Sequence, residues 1–121
     1  MSIINNRKSL NSINLNEEEK NLLRELKEEL LGVIEDSLEG LFLYGSRARG
    51  DFDTQSDIDV MIIVRGLSGE LKDNILTKVA DLEYEYLTPL STVVISKEDF
   101  DNLKKRERRL ALDIEKEGIS I

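Results

Sequence analysis

The chain reads as one small α/β (α+β) domain with helices packed on a single sheet. Three observations carry that expectation. Apolar residues recur at helical spacing in two stretches, 22–34 and 71–82. Short apolar runs typical of strands lie between and after them. At 121 residues the chain can bury one real core but not two ordinary ones.

Each element has its own signal. MSIINNRKSLNSIN, residues 1–14, is polar and unpatterned and reads as a flexible leader, which leaves 15–121 for the domain. Asn16 before Glu17, Glu18 and Glu19 has the form of a helix N-cap with acids in the first turn, and Glu19 stands where a capping box needs it. Leu22, Leu26, Leu30 and Ile34, joined by Leu23 and Leu31, make an amphipathic helix for which Gly40 is the expected stop. Leu41 to Tyr44 reads as a short buried strand. Asp57 to Val64 reads as a longer one whose VMIIV end is apolar on both faces, as in a covered sheet. Gly66, Ser68 and Gly69 mark a turn, and Leu71, Ile75, Val79 and Leu82 a second helix that crosses back over the sheet. Pro89 precedes a third strand, Ser91 to Ser96. Ser96 then caps a last helix that carries Phe100, Leu103, Leu110 and Ile114 as far as Gly118.

Composition narrows the chemistry. There is no cysteine and no histidine, which removes disulfides, thiolate or imidazole metal ligands and every Ser-His or Cys-His arrangement. Carboxylates, hydroxyls, Lys and Arg remain. The net charge of -8 argues against a broad grip on a phosphate backbone, so direct nucleic-acid binding is not expected. The dense basic run KKRERR, Lys104 to Arg109, reads first as an exposed helix face and second as a contact for an acidic partner or RNA. No stretch has the apolar length of a signal peptide or a membrane span, and the expected location is the cytoplasm.

The informative segment is GSRARGDFDTQSDID, residues 45–59, set between the first two strands. Side chains two apart in a strand share a face, so Asp57 and Asp59 project together while Ile58 and Val60 enter the opposite layer. Two neighbouring carboxylates repel unless a cation lies between them. Hard divalent ions such as Mg²⁺ are held by one or two carboxylates together with substrate phosphates. Gly45 permits unusual dihedrals and close approach of a phosphate. Ser46 offers a hydroxyl and can open a helical turn over Arg47 to Arg49, and either arginine can add charge-assisted bonds to phosphate oxygens. Taken singly, Asp51, Asp53 and Ser56 read as turn or capping residues. Asp57 with Asp59 does not, because the second acid heads a fully apolar run where an unpaired carboxylate would be costly. An EF-hand reading of DFDTQSDID fails: the glycine at the sixth position is replaced by Ser56 and the closing glutamate by Ile62. The chain also contains no P-loop motif.

Gly-Ser, ten residues, then Asp-x-Asp resembles the signature of the DNA polymerase beta-like nucleotidyltransferase superfamily. The fuller form, GSRARG followed by SDIDV and an apolar run, resembles the minimal nucleotidyltransferases, or MNT proteins. The resemblance implies a mixed sheet of three or more strands with helices packed on it. It implies catalytic Asp57 and Asp59 holding Mg²⁺, with two ions in the active complex. Gly45 and Ser46 would bind the β- and γ-phosphates, Arg49 would support the phosphate loop or a partner contact, and Arg47 and Ser56 complete the candidate nucleotide-binding set. The implied reaction is attack of an acceptor hydroxyl on the α-phosphate of an NTP, with release of pyrophosphate. MNT proteins commonly act as antitoxins to HEPN-domain RNases, by binding and in some systems by transferring AMP from ATP to a tyrosine of the partner. The expected function is therefore protein adenylylation of a HEPN toxin; the competing one is neutralisation by binding alone. One departure stands out: the superfamily usually carries a third carboxylate on a neighbouring strand, and STVVIS has none. Glu83 and Glu85 read as a solvated helix end, and Tyr84 and Tyr86 as packing residues rather than base-stacking ones.

Overall fold

A computed structural model describes residues 15–49 and 57–121. The leader, and the segment with Asp51, Asp53 and the candidate Ser56, lie outside the described residues. Helix α1, Glu17–Ile34, begins at the expected capping box: Asn16 Oδ1 accepts from Glu19 N–H at 2.8 Å and Glu19 Oε1 accepts from Asn16 N–H at 2.9 Å. It buries Leu22, Leu23, Leu26, Leu30 and Ile34. A 3₁₀ turn, Glu35–Ser37, leads into β1, Leu38–Tyr44.

Strand β1 starts three residues before the apolar run that announced it, so Gly40 lies inside the strand and does not stop the helix. Its register against β2 (Ile58–Val64) shifts between Leu38 and Gly40, and a side chain at Gly40 would collide with the Phe42 ring. The glycine marks an irregularity in the strand. After α2, Ser46–Arg49, and β2 come α3, Gly69–Tyr86, and β3, Leu90–Ser96. Ser68 and Ser96 cap α3 and α4 through their hydroxyls, accepting from Leu71 N–H at 3.1 Å and Asp99 N–H at 3.0 Å.

The final helix expected from the sequence is two helices, α4, Lys97–Lys105, and α5, Arg109–Glu117. Phe100, Leu103, Leu110 and Ile114 keep one helical phase, but the intervening position in that phase is Glu107, which a continuous helix would have laid on the apolar face. The chain breaks there, with Glu107 in the left-handed region at φ 52°. A further strand, β4, Ile119–Ser120, was not expected. It pairs antiparallel with β1, Leu43 opposite Ile119, and Ile121 N–H donates to Leu41 O at 2.9 Å.

The four strands form one mixed sheet in the order β3-β2-β1-β4, with β1 antiparallel to β2 and β2 parallel to β3. α3 makes the crossover that a parallel pair requires. Helices cover both faces. Leu41, Leu43, Ile58, Val60, Ile62 and Val64 pack toward α1 and α3, while Phe42, Met61 and Ile63 pack toward Phe100, Ala111 and Ile114 of α4 and α5. This two-sided burial is why VMIIV is apolar without alternation.

Candidate active site

The motif occupies one end of the sheet, where β1 finishes and both β2 and β3 begin. Antiparallel pairing sets Tyr44 opposite Asp59, and parallel pairing sets Asp59 opposite Ser91. Asp59 belongs to the same alternating row as Met61 and Ile63, but it lies at the end of that row. The packed α4/α5 layer gives way there to a half-buried carboxylate, preceded by the exposed Asp57.

Gly45 turns the chain out of β1 with φ 76°. The left-handed backbone favours glycine here, and the Asp59 carboxylate packs against its open side, with Oδ2 nearer than a Cβ at position 45 would allow unless the carboxylate turned. The motif glycine and the second motif acid are therefore in direct apposition. Ser46 opens α2, and the N–H groups of Ala48 and Arg49 both donate to the Gly45 carbonyl at 3.1 Å, closing the turn on itself.

The two motif arginines have different uses. Arg47 is 4% exposed, and its Nη1 donates to Glu19 Oε1 at 3.1 Å, the oxygen that also closes the α1 capping box. This guanidinium ties α2 to the start of α1, and turning it outward would strand Glu19 in a partly buried position. Arg49 is exposed, pairs with Glu117 Oε2 of α5 at 3.2 Å and bears electrostatically on Asp59. It remains with Gly45 and Ser46 at the mouth of the loop.

Four influences act on the Asp59 carboxyl. Burial, the largest, pushes its pKa up; a hydrogen bond from Ser91 opposes this; the Asp57 charge raises it; and the Arg49 charge lowers it. Tyr44 is likewise pushed up, first by burial and then by Asp59. A carboxylate held close to a like charge and partly out of water is suited to a cation. The donors present, hard oxygens of Asp57 and Asp59 beside a glycine that leaves room for a phosphate, fit a divalent ion shared with a nucleotide. Among the described residues no group of three or more acids, histidines or cysteines gathers for a metal.

The neighbouring strand adds no acid. Glu83 and Glu85 lie in α3; Glu85 is exposed, and Glu83 Oε2 accepts from Leu90 N–H at 2.7 Å, fixing the start of β3. The residue that β3 does set beside Asp59 is Ser91, which the sequence alone did not single out. Finding it requires the parallel register, which no local pattern encodes. Glu117 was missed because its meeting with Arg49, 68 positions away, depends on where α5 packs. Tyr86 is half-buried and donates to Glu25 Oε2 at 2.5 Å, while Tyr84 is 83% exposed. A cavity of about 540 Å³ lies apart from the motif, between α1 and α3, lined by Arg24, Glu25, Glu28, Glu29, Lys78 and Tyr86 among others.

The sequence profile described as "Polymerase beta, Nucleotidyltransferase" matches residues 25–121, which span α1 from Glu25 through β4 and include both motif halves. The chain belongs to this nucleotidyltransferase family. Within it, the chain is 32% identical over 79 residues to "Putative protein adenylyltransferase" of Methanocaldococcus jannaschii, an alignment covering 63% of this chain and 78% of that protein. Among solved structures, one titled as a putative nucleotidyltransferase from Sulfolobus solfataricus aligns over 88% of this chain and 87% of its own at 18% identity and a TM-score of 0.41, too distant to bear on function. The nucleotidyltransferase motif and the mixed sheet thus occur together, and among the described residues no helix is long and apolar enough to cross a membrane.

Proposed function

We propose that this nucleotidyltransferase transfers a nucleoside monophosphate, AMP from ATP, to a hydroxyl of a partner protein, and that the partner is a HEPN-domain RNase which it neutralises. The observation that carries the reading is the apposition of Asp59, with Asp57 before it, to Gly45 at the head of the phosphate loop. The name of the Methanocaldococcus relative supports protein as the acceptor class and adenylyl as the group.

In this reading Gly45 and Ser46 hold the β- and γ-phosphates, and Arg49, steadied by Glu117, faces the same negative charge. Asp57 and Asp59 are the residues that would hold Mg²⁺. That ion, when bound, supplies polarisation of the α-phosphate and neutralises charge on the leaving pyrophosphate. The bond formed joins the acceptor oxygen to the α-phosphorus, the bond broken is that to the bridging oxygen of pyrophosphate, and the acceptor proton passes to solvent. Burial around Asp59 keeps bulk water from one side of the site, so orientation of the acceptor falls to the partner protein.

One observation favours a second reading. β3 presents Ser91 to Asp59 where the superfamily resemblance leads one to expect an acid, which suits a module that neutralises by binding alone. Co-expression of the HEPN partner with Asp57→Asn separates the two. Loss of neutralisation with the complex still co-purifying is the outcome expected of transfer. Full neutralisation by the variant would establish the binding module.

A further inference from the structure

Asp59 is clasped from two directions. On the β1 side, the absent Cβ of Gly45 makes room for its carboxylate oxygen, and Tyr44 is its cross-strand partner. On the β3 side the directly paired residue is Ser91, followed on the same face by Val93 and Ile95, which pack with the α4/α5 cluster; Leu90 and Val94 belong to the opposite face, with α1 and α3. Ser91 is thus the polar β3 residue that alternation places beside the acid. The parallel register pairs it directly with Asp59, and its hydroxyl acts on that carboxyl as a hydrogen-bonding neighbour that lowers the pKa against the effect of burial. Ser91 is exposed, and at an exposed strand position β-propensity would favour Thr or Val over serine.

We infer that Ser91 is a positioning residue for nucleotidyl transfer: its hydroxyl fixes the Asp59 carboxylate over Gly45 and so sets how tightly the site takes a divalent cation. The inference rests on the reading of Asp57 and Asp59 as the metal-holding pair. A carboxylate without that bond can rotate about its side-chain torsions. Ligand groups oriented by a hydrogen-bonding neighbour lose about 10–100-fold in metal affinity when the neighbour is removed. Threonine retains the hydroxyl and favours the strand, so it is the conservative control.

The test is titration of the full chain with Mn²⁺ alone, followed by calorimetry and by the electron paramagnetic resonance of the free ion, for the wild type, Asp59→Asn, Ser91→Ala and Ser91→Thr. Mn²⁺ shares the preference of Mg²⁺ for carboxylate oxygen and reports its binding directly. The wild type should bind, Asp59→Asn should lose that binding, and Ser91→Ala should weaken it about tenfold. Ser91→Thr should stay within about twofold of the wild type by the same orienting argument. Thermal melts without metal show that the Ala variant is folded, and the Thr variant carries the comparison where it is not. If Asp59→Asn abolishes binding while Ser91→Ala binds like the wild type, or if Ser91→Thr binds as poorly as Ser91→Ala, the role of Ser91 is refuted and the metal site stands. If the wild type shows no Mn²⁺ binding that Asp59→Asn removes, the metal-site reading falls and the role of Ser91 with it.

Discussion

At the scale of the residue, the site is a local conflict that the fold holds in place. Asp59 lies at the end of an otherwise buried row, beside the Asp57 charge, and its folded pKa is above the ordinary 3.8, with burial the largest cause. A folded-state pKa above the unfolded one means that the folded chain binds this proton more tightly. Stability is therefore lost as pH rises through the interval between the two values, and the cost is complete above the upper one. Asp59→Asn should accordingly have a higher Tm than the wild type at neutral pH in a chelating buffer. The difference should vanish below the unfolded value, where the wild-type side chain is also neutral; thermal melts across pH read this directly. The same substitution should abolish transfer, the usual trade between stability and activity at a functional position. The acid pair and Gly45 were legible in the sequence because a strand's period of two and a glycine before a helical turn are local signals. Ser91 was not, since its placement depends on a pairing thirty-odd positions away.

At the scale of the element, α2 is too short to be stable alone and takes its position from its neighbours. Arg47 is one such tie: the residue is 4% exposed and its guanidinium meets Glu19 in the α1 cap. Arg47→Ala leaves that carboxylate unmatched in a partly buried place and breaks the link between loop and helix. Chemical denaturation should show a loss of about 3 kcal/mol, in the range for breaking a buried pair. The α4/α5 corner makes the converse prediction. Glu107 adopts φ 52°, a conformation that glycine takes without strain. Glu107→Gly should be stabilising by about 0.5–1 kcal/mol, measurable as a rise in denaturation midpoint with unchanged slope. Neither the corner nor β4 could be read beforehand. The apolar residues on either side of the corner keep one phase with no glycine or proline between them, so the single charged Glu107 in that phase was a weak signal for a break, and β4 is too short to show alternation.

At the scale of the whole molecule, the α/β class, the central strands and the two large amphipathic helices follow from hydrophobic periodicity. The parallel β2/β3 pair follows from the intervening α3, a crossover that antiparallel strands do not need. What periodicity could not supply was the layer to which each helix belongs. That assignment decides the site: with α1 and α3 on one face and α4 and α5 on the other, the Asp57/Asp59 row emerges at the edge of the α4/α5 layer, next to Arg49 and Glu117. The chain's net charge of -8 leaves this sheet end dependent on local cations, Arg49 among them, for any attraction to a nucleotide.

If this sheet end transfers a nucleotidyl group to a protein, the acceptor gains the mass of that group. The most direct test is the intact mass of the proposed HEPN partner after incubation with this chain, Mg²⁺ and a mixture of NTPs, with Asp57→Asn and Asp59→Asn as controls. A gain of one or more adenylyl units in the partner, produced by neither control, is the expected result. An unchanged partner mass with the two proteins still bound to each other, or a gain that persists in both controls, would contradict it.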